Sequence, residues 1–225
     1  NRDGSWDSRG LVVGSVQSGK TSNFIGFLNK AVDAGYKKII VLSGLNNNLR
    51  QQTQIRVDQG LLAYDTQASS LGTKIYQGPL AARRMNYKLP IISCGTNSKL
   101  NGDFKKNVAD NLNFHTDDPA IFVVKKNKSV LEKLIGYYLS SPKVHGVTVE
   151  QKPFKVRGHF STFPPFIKDK PILIIDDEVD NGSVDTGEQL VNEEGNFDLD
   201  YDPKTINRLI RTLLNIFDKR VYIGY

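Results

Sequence analysis

Three runs of aliphatic residues punctuate the chain: Lys37 to Ser43, Ala120 to Val124 and Ile172 to Ile175. None alternates apolar with polar positions, so each predicts a strand buried on both faces, as in a parallel sheet covered by helices. Leu11, Val12 and Val13 form a shorter run that reads the same way. Between the runs the period changes. Phe24, Phe27, Leu28, Ala31 and Val32 recur at helical spacing until Ala34 and Gly35 stop the helix. Leu49, Thr53, Arg56 and Val57 continue helically from a cap of asparagines at 46–48, and Leu131, Leu134, Ile135 and Tyr138 mark a third helix. Pro203 opens an amphipathic helix through Ile206, Leu209, Ile210, Leu213, Leu214 and Phe217, and Arg220 to Tyr225 reads as a further strand. The alternation predicts an α/β fold with a mostly parallel sheet and helices on both faces. Residues 59–118 and 141–170 lack this order and read as elaborations on a single lobe spanning 1–225, the second as a long, proline-bearing connection.

The first apolar run leads into Gly14, Ser15, Val16, Gln17, Ser18, Gly19, Lys20 and Thr21. Glycine, four open positions, glycine, lysine and a hydroxyl residue is the spacing of a phosphate-binding loop. Such a loop curls so that successive backbone N–H groups point at a polyphosphate, and glycine supplies the turns and the close approach. Lys20 is then expected at the β- and γ-phosphates and Thr21 at Mg²⁺, with the positive end of the following helix facing the anion. Strand, glycine loop and helix in that order is the context the pattern requires.

A second group of candidates ends the run at 172–175: Asp176, Asp177, Glu178, Val179 and Asp180. Carboxylates at the carboxyl end of a parallel strand lie where ligands bind in open α/β sheets, and the phosphate loop is expected there too, at the end of the neighbouring strand. Asp177 is the expected Mg²⁺ contact, through water, with Asp176 as the fallback should the strand end one residue earlier. Glu178 is the expected group to orient and deprotonate the attacking water. Without a cation, several acids at one strand end would be costly to bury.

Charge and composition narrow the partners. The 225 residues carry a net charge of +6, yet from Asp176 to Asp202 there are eleven acids and no Lys or Arg, which leaves +17 elsewhere. A basic remainder suits a polyanion, although the bases are scattered and an ordinary solvated surface also fits. Cys94 stands alone, which excludes an internal disulfide and a cysteine-built zinc site, and His115, His145 and His159 have no ligand spacing. No apolar stretch approaches a membrane span, so a cytoplasmic location and no membrane partner are expected. The lone methionine is Met85, and a piece of a larger protein is expected.

Candidates for a nucleic acid strand are Asn48 and Arg50 after the second strand and Lys125 and Lys126 after the third. The same residues also read as a helix cap and a pair of solvated lysines. Trp6 reads as an anchor for packing or as a platform for a nucleotide base. Glu150, Gln151 and Lys152 match half of a metal-dependent nuclease signature, with no upstream acid to complete it.

These residues resemble the first RecA-like motor lobe of superfamily-two helicases, and within that group the Z-one domain family of bacterial restriction-associated endonucleases. The resemblance rests on Leu11 to Thr21, Asn46 to Asp58, Val124 to Asn127, Ile174 to Asn181 and Tyr222 to Tyr225. It implies a RecA-like P-loop NTPase domain that uses ATP and Mg²⁺ in a nucleic-acid-dependent ATPase of a restriction or defence system, with DNA as the expected strand. It also implies a second RecA-like lobe beyond this chain, so that the fragment alone is a weak catalyst. Two alternatives stay open: a Mg²⁺-dependent endonuclease, and an ATP-gated interaction module that does not hydrolyse. A small-molecule phosphotransferase shares the loop but needs neither the acid run nor the basic remainder.

Overall fold

In the computed structural model the described residues are 4–14, 19–68, 92–110, 119–140, 153–156, 159–162, 167–168, 170–180 and 203–225. Six strands form one all-parallel sheet: β1 (Trp6–Leu11), β2 (Lys38–Ser43), β3 (Ser93–Cys94), β4 (Ala120–Lys125), β7 (Ile172–Asp176) and β8 (Lys219–Gly224), in the spatial order β1-β8-β7-β2-β4-β3. Two short antiparallel strands, β5 (Pro153–Val156) and β6 (His159–Thr162), pair with each other apart from it. The helices are α1 (Lys20–Asp33), α2 (Asn47–Val57), α3 (Lys106–Asp110), α4 (Lys128–Ser140) and α5 (Pro203–Asn215). The fold is thus α/β, as the change of period along the chain predicts.

The continuous apolar runs are explained by burial on both sides of the sheet. Ile40, Leu42, Phe122, Val124, Ile172 and Ile174 belong to one core layer with Leu131, Leu134, Tyr137 and Tyr138 of α4 and Ile206, Ile210 and Leu213 of α5. Their neighbours Ile39, Val41, Ile121, Val123, Leu173 and Ile175 belong to the other, with Phe24 and Leu28 of α1 and Val57 of α2. Each of these side chains contributes about 1.5–3 kcal/mol by leaving water. Phe122, Tyr137, Tyr138 and Phe217 add edge-to-face ring contacts at centroid distances of 5.3–6.4 Å.

Helix ends follow local chemistry. Asn46 Oδ1 accepts from the Leu49 N–H at 2.9 Å and caps α2. Gly35, at φ 91°, takes the left-handed turn that ends α1. Beyond Val57 the second helix widens into a π-helical segment, Asp58–Leu62, closed by Ala63 at φ 60°. Within it Asp58 accepts from Gln54 Nε2 at 2.8 Å and from the Thr66 hydroxyl at 2.6 Å. Thr96 Oγ1 donates to Gln54 Oε1 at 2.7 Å and accepts from the Val123 N–H at 2.9 Å. This buried chain of polar contacts fastens the described parts of the first elaboration to α2 and β4.

Two expectations are corrected. The first strand is Trp6–Leu11 and not the apolar run at 11–13; Leu11 is 64% exposed and Val13 85%. β1 is an edge strand, and its register places Asp7 opposite Arg220, whose Nε lies 3.0 Å from Asp7 Oδ2. Ion pairing and ladder bonds to β8, rather than burial of an apolar run, set its position. Secondly, β1 does not lie beside the carboxylate strand β7. β8 is inserted between them, so the two strand ends are about 9.5 Å apart at the usual strand spacing.

Candidate functional site

Because all six strands run the same way, their carboxyl ends share one edge, and backbone bonds lace that edge together. The Val12 N–H donates to Gly224 O at 2.8 Å, Tyr225 to Asp176 O at 2.9 Å, Val179 to Tyr225 O at 3.0 Å and Asp177 to Leu42 O at 2.8 Å. The ends of β1, β8, β7 and β2 are therefore fixed relative to one another. Side chains tie in α1: Tyr225 donates to Asn23 Oδ1 at 3.0 Å, and its ring meets Phe24 edge-on at 5.9 Å.

At the start of α1, Gly19 is the N-cap residue, with φ 78° and ψ 18°, and no side chain caps the helix. Its first turn holds no acid. The positive end of a helix with no acid in its first turn favours a nearby anion. Gly14 is half-buried after β1, and Lys20 and Thr21 form the opening residues of α1. Ser15, Val16, Gln17 and Ser18 lie outside the described residues.

The acid turn follows β7, which lies across β8 from β1. Asp176 still belongs to β7 and is fully buried. Its Oδ1 accepts from Lys126 Nζ at 2.7 Å and its Oδ2 from the Tyr222 hydroxyl at 2.5 Å. Asp176 is thus committed to the layer under α4 and α5 and does not serve as the fallback metal contact. Asp177 turns the other way. Its Oδ2 accepts from Thr53 Oγ1 of α2 at 3.4 Å, and burial, the dominant effect, raises its pKa against the opposing pull of that hydroxyl, Arg56 and Lys126. A half-buried carboxylate whose charge is incompletely compensated suits a hard cation.

Glu178 adopts a left-handed conformation at φ 65°. Its carboxylate lies over the end of β2, where Oε2 is 2.8 Å from the place a Cβ on Gly44 would occupy. Gly224 plays the matching part at the end of β8, since a Cβ there would meet Val179 Cγ2 at 2.8 Å. Two glycines at strand ends therefore admit the acid turn. Among the described residues no group of three or more His, Cys, Asp or Glu side chains is set to hold a metal. A Mg²⁺ that keeps most of its waters would need few protein oxygens, and the Asp177 carboxylate is of the hard-oxygen kind that suits it.

The four residues expected at a nucleic acid strand separate. Asn48 is exposed on α2, and Lys125 is half-buried with Nζ donating to Asn47 Oδ1 at 3.1 Å. Arg50 and Lys126 are 0% and 1% exposed. Arg50 donates to Asn97 O at 3.0 Å and Lys99 O at 2.5 Å, and desolvation pulls its pKa down. Lys126 is turned into the sheet edge. Cations without exposed surface offer nothing to a phosphate backbone, so both expectations give way to internal roles. Trp6 is half-buried at the start of β1, and Glu150, Gln151 and Lys152 lie outside the described residues.

Sequence reasoning gave no site role to Gly44, Gly224, Thr53, Asn23 and Tyr225. A glycine directly after an aliphatic run was a usable signal for Gly44; nothing in the pattern singled out Thr53 or Asn23. No described helix is long and apolar enough to cross a membrane. Comparison of the chain with models of protein families, with curated proteins and with solved structures yields no match.

Proposed function

We propose that this chain is a RecA-like, ATP-binding motor lobe of a nucleic-acid-dependent ATPase of the helicase or translocase kind. The observation that supports the reading is the shared edge: a helix start entered through left-handed Gly19 is tied by Asn23 to Tyr225 at the end of β8, and Tyr225 is in turn bonded through Asp176 O and the Val179 N–H to the turn bearing Asp177 and Glu178. β1, which leads toward the phosphate loop, and β7, which ends at the acid turn, are two strand spacings apart, about 9.5 Å.

In this reading the backbone from Gly14 to Gly19 cradles the phosphates and Lys20 neutralises charge developing on the transferred phosphoryl group. Thr21 and Asp177 would hold Mg²⁺, which would supply positive charge to offset that of the phosphates. Glu178 orients the attacking water and accepts its proton. Asn48 and Lys125 remain the candidates at a nucleic acid strand, with DNA the expected partner. The resemblance to the Z-one domain family supports a restriction or defence setting, a cytoplasmic location and a second lobe that completes the site.

The test is steady-state ATP hydrolysis by the full-length protein with and without DNA, together with nucleotide binding. Lys20→Ala is expected to weaken ATP·Mg²⁺ binding, and Glu178→Gln to keep binding while abolishing turnover. DNA-independent turnover that survives both substitutions would sink the reading.

A further inference from the structure

A non-glycine residue in the left-handed region is disfavoured, so something must hold Glu178 there. Lys126 is placed to do so. Its ammonium, with no exposed side-chain surface, donates both to the Glu178 carbonyl oxygen and to Asp176 Oδ1. The chain brings it from the end of β4 across the end of β2, where its own N–H bonds Gly44 O at 3.3 Å. Gly44 is also the residue over which the Glu178 carboxylate rests. Lys126 and Gly44 therefore act on the two ends of one residue, carbonyl and carboxylate.

We propose that Lys126 is a positioning residue for hydrolysis: by holding the Glu178 carbonyl it fixes the left-handed turn and so the place of the Glu178 carboxylate at the end of β2. The assignment rests on the ATPase reading above. The competing role is charge balance alone, in which the ammonium merely neutralises buried Asp176 and the turn keeps its own shape. Removing both charges at once separates the two, because a Met and Asn pair is neutral and has no buried charge to strand, but it lacks the ammonium that reaches the Glu178 carbonyl.

The experiment uses the full-length double variant Lys126→Met/Asp176→Asn beside Lys126→Met. The single variant is expected to unfold at lower urea, and the double variant to recover most of that loss and to bind ATP·Mg²⁺ within about threefold of wild type. Its kcat is nevertheless expected to stay at least tenfold down with KM little changed. The Val179 amide, bonded to Tyr225 O, should exchange its hydrogen at least tenfold faster, while the Asp177 amide, bonded to Leu42 O, should not. Recovery of kcat and of Val179 protection together with stability would overturn the proposal and leave charge balance. Wild-type protein without ATPase activity would overturn the ATPase reading, and the exchange comparison would still decide whether Lys126 holds the turn. Should the double variant not fold, wild-type protein decides by NMR: a protected Lys126 ammonium resonance coupled to the Glu178 carbonyl carbon supports the contact, and a rapidly exchanging one overturns it.

Discussion

Tyr225 donates its phenolic hydrogen to Asn23 Oδ1 at 3.0 Å, although 202 positions separate the two residues. The bond joins the start of α1 to the end of β8, and the same ring packs edge-on against Phe24. Tyr225→Phe keeps the ring and deletes the donor. Stability is expected to fall by about 1 kcal/mol in urea titration. Affinity for ATP·Mg²⁺ should fall as well, because the helix start loses its tether; unchanged affinity would show that α1 is placed without it.

Arg50 and Lys125 should answer differently to mutation. Arg50 bonds two carbonyls from full burial, so Arg50→Met strands both and is expected to cost about 3 kcal/mol. Lys125→Ala should leave urea stability within about 0.5 kcal/mol but lower the slope of log affinity for DNA against log salt by about 1, as loss of one phosphate contact does. A destabilised Lys125→Ala protein with an unchanged salt slope would assign Lys125 to the α2 cap alone.

Asp58 makes stability depend on pH. Burial pushes its pKa from 3.8 up to about 6 despite hydrogen bonds from Gln54 and Thr66 that favour the charged form. The folded state then holds this proton more tightly than the unfolded one. Its stabilising effect is complete below about pH 3.8 and is lost as pH rises to about 6. The change amounts to about 2–3 kcal/mol. Urea midpoints of wild type and Asp58→Asn measured from pH 4 to 7.5 check this: the wild type should lose stability relative to the variant across that window and run parallel to it above.

Gly44→Ala places a methyl group against Leu49 Cδ1 at 2.5 Å and Glu178 Oε2 at 2.8 Å. Both neighbours are side chains and can move, so the protein should fold with a loss of about 1–2 kcal/mol. Turnover should drop more than ATP affinity, since it is the carboxylate of the proposed base that is displaced. Equal losses in kcat and in kcat/KM, measured where the variant is still fully folded, are the expected signature in steady-state kinetics.

The interior of the fold was written plainly in the sequence. Strands such as Ile172–Asp176 and Ala120–Lys125 are buried on both faces, so side-chain chemistry alone marks them. Pro203 and Gly35 marked helix ends because backbone geometry, not tertiary context, restricts those residues. The edge was not legible. Trp6–Leu11 is polar, and its place comes from Asp7 meeting Arg220 more than two hundred positions away, which no local window contains. The same holds for the acid run: the order of residues shows five neighbours, four of them acidic, but not that the buried ammonium of Lys126 claims Asp176 and leaves the next two carboxylates toward α2 and β2. Lys126 itself looked like a surface base because sequence gives charge without direction.

The inserted strand also sets a schedule. Among the described residues Trp6–Leu11 finds its ladder partner in Lys219–Gly224, so this strand waits for one made more than two hundred residues later before it can join the sheet. Closing so long a loop carries a large entropic cost and slows folding. The central strands can assemble beforehand, whereas the two halves of the proposed nucleotide cleft meet only when β8 slides between them, which makes completion of that cleft a late event in the life of each new chain.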